Sequence, residues 1–223
     1  MIPIGSIVNL SLRSLLNRRL TVVLTTFSIA VSVMLILAVE KVRHDAKRSF
    51  ANTISGTDLI VGARSGSVQL LLYSIFRIGN ATNNISWNSY RAIAGREDVK
   101  WSIPISLGDS HRGFRVMGTG LGYFRHYRYG QRLMLKFESG QPFDDVFDAV
   151  LGAEVAAELG YNLDQKIVID HGLGTGRFAT HKDKPFRVAG ILERTGTPVD
   201  RTVHVSLDGI TAIHVDWKGG ARI

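Results

Sequence analysis

The chain has 223 residues, 45% of them hydrophobic and 21% charged, with a mean hydropathy of +0.09, and such values belong to a folded protein rather than a disordered one. Its formal net charge of +8 comes from 27 Lys and Arg against 19 Asp and Glu, spread without a run of five like charges, which argues against a nucleic-acid-binding stripe. There is no cysteine, which excludes disulfides, thiolate zinc sites and cysteine nucleophiles.

Most of the excess hydrophobicity lies in the first forty residues. Ile4, Ile7, Val8, Leu12, Leu15 and Leu16 recur at helical spacing among Asn9, Arg13 and Asn17, the pattern of a short amphipathic helix lying on a membrane surface. Leu20 to Val39 then reads LTVVLTTFSIAVSVMLILAV, without a charge, a proline or a glycine. A helix of ~20 residues rising ~1.5 Å each crosses a hydrocarbon core about 30 Å thick. The run is too long for a signal-peptide core, and Ala38-Val39-Glu40 is a poor cleavage site. Thr21, Thr25, Ser28 and Ser32 form a stripe of small polar residues. It suits packing on another helix, or hydroxyls bonding back to their own helix. Arg18 and Arg19 before the run, and Lys41 and Arg43 after it, are expected to anchor it among lipid headgroups. Three basic residues precede the span and four follow it closely, so charge alone does not orient it.

Residues 40–56 show no strand alternation and end on Gly56, predicting a helical stalk. Asp58 to Val61 is expected to be a short buried strand, and Ser67 to Ile78 and Ile85 to Ala94 helices. Val99 to Leu107 and Gly113 to Met117 read as paired strands about a turn at Gly108 to His111. The aromatic and basic stretch from Gly122 to Phe137 suits strands with half-buried aromatic faces better than a base-stacking platform. Ala149 to Leu159 is expected to be a helix stopped by Gly160. Lys166 to Asp170, Arg177 to Thr180 and Phe186 to Leu192 are predicted strands of a small β lobe. Val203 to Val205 reads as a further strand, Leu207 to Ile213 as a short helix and Gly219-Gly220 as a loop.

No P-loop and no G-x-S-x-G elbow occur, and Gly172-x-Gly174-x-Gly176 lacks the helix and lysine of a phosphate loop. The seven histidines make no H-E-x-x-H and no close pair, and are expected at the surface. A metal site built from His171, His181 and either Asp170 or Asp183 is the competing arrangement. Asp144, Asp145, Asp148 and Glu138 read as an acidic loop and helix start, not a carboxylate dyad. No catalytic, cofactor-binding or metal-ligating residue is assigned, and no enzymatic activity is expected of this chain.

Several motifs in order carry a resemblance. They are Asp58-Leu-Ile-Val-Gly62 after the stalk, Val150-Leu-Gly-Ala-Glu-Val-Ala-Ala-Glu-Leu-Gly160, Phe186-Arg-Val-Ala-Gly-Ile-Leu192, Thr195-Gly-Thr-Pro-Val-Asp-Arg201 and the run from Val203 to His214. Together they resemble the N-terminal half of a MacB-like, FtsX-like superfamily ABC transporter permease with its periplasmic core domain. The resemblance implies an α+β periplasmic domain tethered by one transmembrane helix. It divides the chain into a cytoplasmic amphipathic helix (1–19), a span (20–39), a stalk (40–56) and the core domain (57–223). Within the core it implies a porter-like α/β lobe, about 57–120 with 193–223, and an inserted β-rich lobe, about 121–192. The loop of Thr195, Gly196, Thr197, Pro198, Asp200 and Arg201 is a motif of the family to which the resemblance assigns no role.

The resemblance further implies a bacterial inner-membrane protein with residues 40–223 in the periplasm. It implies a cytoplasmic ABC ATPase that holds ATP and Mg, a second permease copy (the same chain or a paralogue), and contact with lipid. A periplasmic adaptor or substrate-binding protein would join these; nucleic acid would not. ATP turnover by the partner would drive periplasmic movement that moves or releases a substrate. Such permeases carry three further spans after this domain, so residues 1–223 are expected to be the N-terminal portion of one. The competing readings are a membrane-tethered interaction module without transport and a metal- or ligand-sensing domain.

Overall fold

Residue 5 and residues 13–80, 83–171, 181, 183–215, 217–218 and 221–222 are described by a computed structural model. The chain divides into two compact units, Met1–Ser49 and Phe50–Ile223. The expected N-terminal amphipathic helix, the strand at Arg177 to Thr180, the Gly172–Gly176 turn and the Gly219-Gly220 loop lie outside the described residues.

The first helix, α1, runs unbroken over Arg19–Thr53. Within it Arg19–Asp45 has a mean hydropathy of 2.6 over its most apolar stretch and is wholly unburied, so it is long and apolar enough to cross a membrane. Thr25 Oγ1 donates to the carbonyl of Thr21 and Ser32 Oγ to that of Ser28, each at 2.8 Å. These hydroxyls therefore satisfy themselves within the helix, which is what makes them tolerable in lipid. Lys41 pairs with Asp45 at 3.4 Å and Arg43 with Glu40 at 3.6 Å, all four exposed. The helix continues without a break through most of the residues expected to form the stalk, ending at Thr53, three residues short of Gly56.

In the second unit, α2 (Ser67–Ser74) and α3 (Trp87–Ala94) come first. Ser86 caps α3 by accepting from the amide of Ser89 at 3.1 Å. The expected strand at Asp58 to Val61 does not form: the segment is irregular, and Leu59 is 75% exposed. Three apolar residues do not make a strand without a neighbour to pair with, and the sheet builds its edges elsewhere.

That sheet has eight strands in the order β5-β9-β6-β10-β2-β1-β8, with β7 also on β9. Their ranges are β1 Ile105–His111, β2 Phe114–Thr119, β5 Phe137–Gly140, β6 Asp148–Leu151, β7 Lys166–Ile167, β8 Asp170–His171, β9 Phe186–Leu192 and β10 Thr202–Ser206. Short pairs β3 (Arg128–Tyr129) with β4 (Leu133–Met134), and β11 (Trp217–Lys218) with β12 (Ala221–Arg222), lie apart from it. The β1–β2 turn is at Arg112-Gly113, both with positive φ (46° and 89°), the backbone of a tight hairpin. The expected turn residues 108–111 are strand instead. The helices α4 (Gly122–His126), α5 (Ala153–Leu159) and α6 (Leu207–His214) complete the unit. The expected strands of the aromatic stretch are thus in part α4, with Tyr123 and Phe124 buried on it.

Both faces of the sheet are covered. Ala149, Leu151, Val203 and Val205 lie in one core cluster with Phe114, Val155 and Phe186, while Val150 lies in the other with Met117, Tyr123, Phe124 and Leu192. A strand buried on both sides needs no polar alternation. This corrects the expected helix from Ala149: residues 148–151 are the fully buried strand β6, and only Ala153–Leu159 is helical. Gly152 makes the break, because a Cβ there would stand 2.2 Å from the carbonyl oxygen of Val199.

The strands also cross the expected lobes. β1, β2 and β10 belong to the porter-like segments and β5 to β9 to the inserted one, yet β10 pairs with both β2 and β6, and β8 pairs with β1. Strands from both sets of segments therefore share a single sheet.

Burial makes the core sensitive to acid. His204, wholly buried, lies against the rings of Tyr123 and Phe124 and hydrogen-bonds through Nδ1 to the carbonyl of Val150 at 3.2 Å. Desolvation, then the charge of Arg77, pushes its pKa down to about 3. Unfolded chains take up this proton near the ordinary pH 6.5. The neutral ring therefore contributes its full stability above that pH, and the contribution is lost as pH falls towards 3, at up to about 1.4 kcal/mol per unit. Thermal midpoints are expected to drop between pH 7 and 5, and to drop less in His204→Phe. A variant with the same pH slope as the parent would count against this.

Candidate functional site

The loop from Thr195 to Arg201 is an internally braced turn. Asp200, 1% exposed, accepts from the amide and hydroxyl of Thr195 at 2.8 and 2.7 Å and from the amide of Gly196 at 2.7 Å. Thr197 caps the following single turn, Pro198–Arg201, by accepting from the amide of Val199. Arg201 reaches Glu154 at 3.0 Å and Glu158 at 2.5 Å on α5, and its guanidinium lies 4.8 Å from the Phe114 ring centre. Arg194 joins Glu154 at 2.8 Å. Phe114, Glu154, Arg194, Thr197, Pro198 and Arg201 help to line a depression of about 570 Å³. The loop thus locks α5 to the sheet, and its polar groups are spent on one another.

A larger cleft, about 730 Å³, opens among Leu59, Val61, Leu70, Trp87, Tyr90 and Ile105. Leu59, Val61, Trp87 and Ile105 expose 42–75% of their surface.

The third feature is a histidine cluster. His171 ends β8, His214 ends α6, Asp109 lies on β1 beside β8, and His181 precedes β9. Sheet register brings the first pair together, since Asp109 is the Cα partner of His171. His171 Nδ1 is 3.1 Å from Asp109 Oδ1 and 3.3 Å from His214 Nε2, and His214 Nε2 is 3.7 Å from that carboxylate oxygen. His181 Nε2 lies 3.1 Å from His171 Nε2. One ring nitrogen from each of the three histidines falls within 4.8 Å of the others. Burial raises the pKa of Asp109, with the two imidazoles pulling it back. Burial, then the positive potential of His171 and His214, pushes His181 down to about 4, so its ring is neutral at physiological pH.

The expectation of surface histidines therefore fails in the folded unit. His111, His181 and His204 are buried. His111 is a satisfied core group, between the carbonyl of Val168 at 2.6 Å and the hydroxyl of Tyr161 at 3.0 Å, with its pKa lowered chiefly by burial. The pair His171 and His181 does meet, as the sequence suggested, and the third imidazole, His214, and the carboxylate of Asp109 join them. His214 is 33 positions past His181 and carries no local signal. Asp148 is likewise no surface acid: 1% exposed, it accepts from the amides of Asp144 and Asp145 and pairs with Arg187 at 2.8 Å. Arg18, Arg19, Lys41 and Arg43 are exposed, on either side of residues 20–39.

Among curated proteins none matches the chain. The profile of the MacB-like periplasmic core domain matches residues 20–222, from the start of the apolar helix to the end of the described sheet unit. Members of that family work with cytoplasmic ATPases. An apolar, membrane-anchoring helix leading into a domain of this kind, matched over nearly its full length, places the chain in the MacB-like (FtsX-like) family of ABC transporter permeases.

Proposed function

We propose that the chain is the N-terminal portion of a permease subunit in a MacB-like ABC system. A partner ATPase in the cytoplasm, holding ATP and Mg, drives movement of the periplasmic domain, and that movement moves or releases a substrate. The chain itself has no enzymatic role and binds no cofactor for the reaction. It sits in the inner membrane with residues 40–223 in the periplasm. It acts beside a second permease copy, identical or paralogous, and an adaptor or substrate-binding protein can dock on its periplasmic side.

The observation that carries this reading is the continuity of α1. It runs over 35 residues without proline or glycine, the residues at which helices usually kink. Its last turn is tied into the domain core: the Tyr127 hydroxyl donates to the carbonyl of Thr53, and the amide of Ser55 to that of Arg128 at 3.0 Å. Both Thr53 and Tyr127 are buried.

The absence of cysteine makes the topology directly testable. In cells with a permeabilised outer membrane, Asn162→Cys should react with a membrane-impermeant maleimide. Asn17→Cys should react only after lysis. The opposite pattern would reverse the orientation and remove the reading. The tagged chain isolated from its native membrane should bring an ATP-hydrolysing subunit with it. A chain that comes alone would favour the membrane-tethered interaction module.

A further inference from the structure

In a neutral His214 ring, Nδ1 must carry the proton, because it meets the carbonyl oxygen of Ile210 at 2.6 Å and a carbonyl only accepts. The Nε2 lone pair therefore faces the Asp109 carboxylate oxygen, 3.7 Å away, and His171 Nδ1, 3.3 Å away. A cation seated between these two lone-pair groups would satisfy both.

The spacing says which kind. Zinc-type bonds of ~2.0–2.2 Å in a tetrahedral set put neighbouring donor atoms roughly 3.3–3.5 Å apart. Asp109 Oδ1, His171 Nδ1 and His214 Nε2 form a triangle with edges of 3.1, 3.3 and 3.7 Å, one face of such a set. His181 is the buried fourth member: one of its ring nitrogens lies within 4.8 Å of one from each of the other two histidines, and its Nε2 is 3.1 Å from His171 Nε2, the nitrogen opposite the one in the triangle, so one of these rings turns to complete the set. Three imidazoles with a single carboxylate suit borderline-soft transition metals, whereas calcium and magnesium take oxygen donors.

We propose that Asp109, His171, His181 and His214 form a binding site for one divalent transition-metal ion of the zinc class. The ion clips together strand β1, strand β8, the entry to β9 and the end of α6, segments that sequence separation keeps far apart. The site goes beyond the permease reading and stands or falls independently of it.

The test uses the full chain in detergent, purified with a tag that contains no histidine and stripped with chelator. Titration with Co²⁺ should give one ion per chain and the intense visible absorption of four-coordinate cobalt, displaced by Zn²⁺. Excess Zn²⁺ should raise the thermal midpoint by several degrees, because only the folded state assembles the site. The pair His171→Ala with His181→Ala should abolish the cobalt spectrum. His214→Gln and Asp109→Asn should each weaken binding tenfold or more. Melting of the metal-free variants shows which of them fold, and the single substitution at half-exposed His214 decides the matter if the double variant does not. Parent protein that takes up no stoichiometric Co²⁺ or Zn²⁺, or a folded His214→Gln that binds as tightly as the parent, would overturn the site.

Discussion

Gly190→Glu is expected to abolish folding of the sheet unit. Gly190 is buried on β9, between β5 and β6, with Gly140 as its cross-strand partner. A Cβ at residue 190 would lie 2.4 Å from the carbonyl oxygen of Gln141 and 2.9 Å from the Phe137 ring. Its partner Gly140 has φ +72°, and a Cβ there would stand 2.1 Å from the carbonyl of Ala189. Two facing glycines let β5 cross close over β9, and the amide of Gln141 bonds the carbonyl of Ala189 at 3.0 Å. A methyl alone at this contact costs about 1–3 kcal/mol through overpacking. A buried, unpaired carboxylate adds several kcal/mol more, against a typical reserve of about 5–15 kcal/mol. Circular dichroism on heating should show no cooperative transition for Gly190→Glu and a lowered one for Gly190→Ala. An unchanged melt would refute the placement of this strand.

The second large effect belongs to Asp200→Ala. It removes a buried carboxylate that accepts three hydrogen bonds and strands the amides of Thr195 and Gly196 and the hydroxyl of Thr195. Unmade buried bonds to a charged group put the cost at roughly 3–5 kcal/mol. The loss should be local before it is global, because the turn holds Arg201 against Glu154 and Glu158 on α5. Limited proteolysis should therefore open the chain near residues 194–201 well below the melting temperature. Asp200→Glu, longer by one methylene, should rescue little. Equal protease resistance in parent and Asp200→Ala would show that the turn is held by something else.

How legible the molecule was depended on the range of the interactions involved. Leu20 to Val39 declared itself because membrane insertion depends on a contiguous apolar length, a property of neighbours in the chain. Phe186 to Leu192 was equally plain as a strand, and Ile85 to Ala94 as a helix, because hydrophobic periodicity acts within a few residues. Val150 and Leu151 misled for the opposite reason. Their continuous apolar run is what a strand covered on both faces requires, and a short run of that kind cannot be told from a helix by periodicity. The Arg112-Gly113 turn was missed because Gly108 to His111 has the composition of a turn while the positive φ values fall just after it.

The sites follow the same division. Membrane anchoring by a long apolar helix and membership of the permease family were readable from linear order alone, since segment length and motif succession survive without any tertiary contact. The histidine cluster was not, beyond the pairing of His171 with His181. Asp109 and His214 join them only because β1 lies antiparallel to β8 and α6 packs back over the sheet, where Gly118 admits Ile210. Groups 43 and 62 positions apart share no local pattern, and it is the register of strand pairing that gathers them around one point. The sequence by itself determined which stretch meets lipid and which family the domain joins. Which polar side chains face each other was left to the fold, because proximity across a sheet is fixed by hydrogen-bond pairing between strands rather than by spacing along the chain.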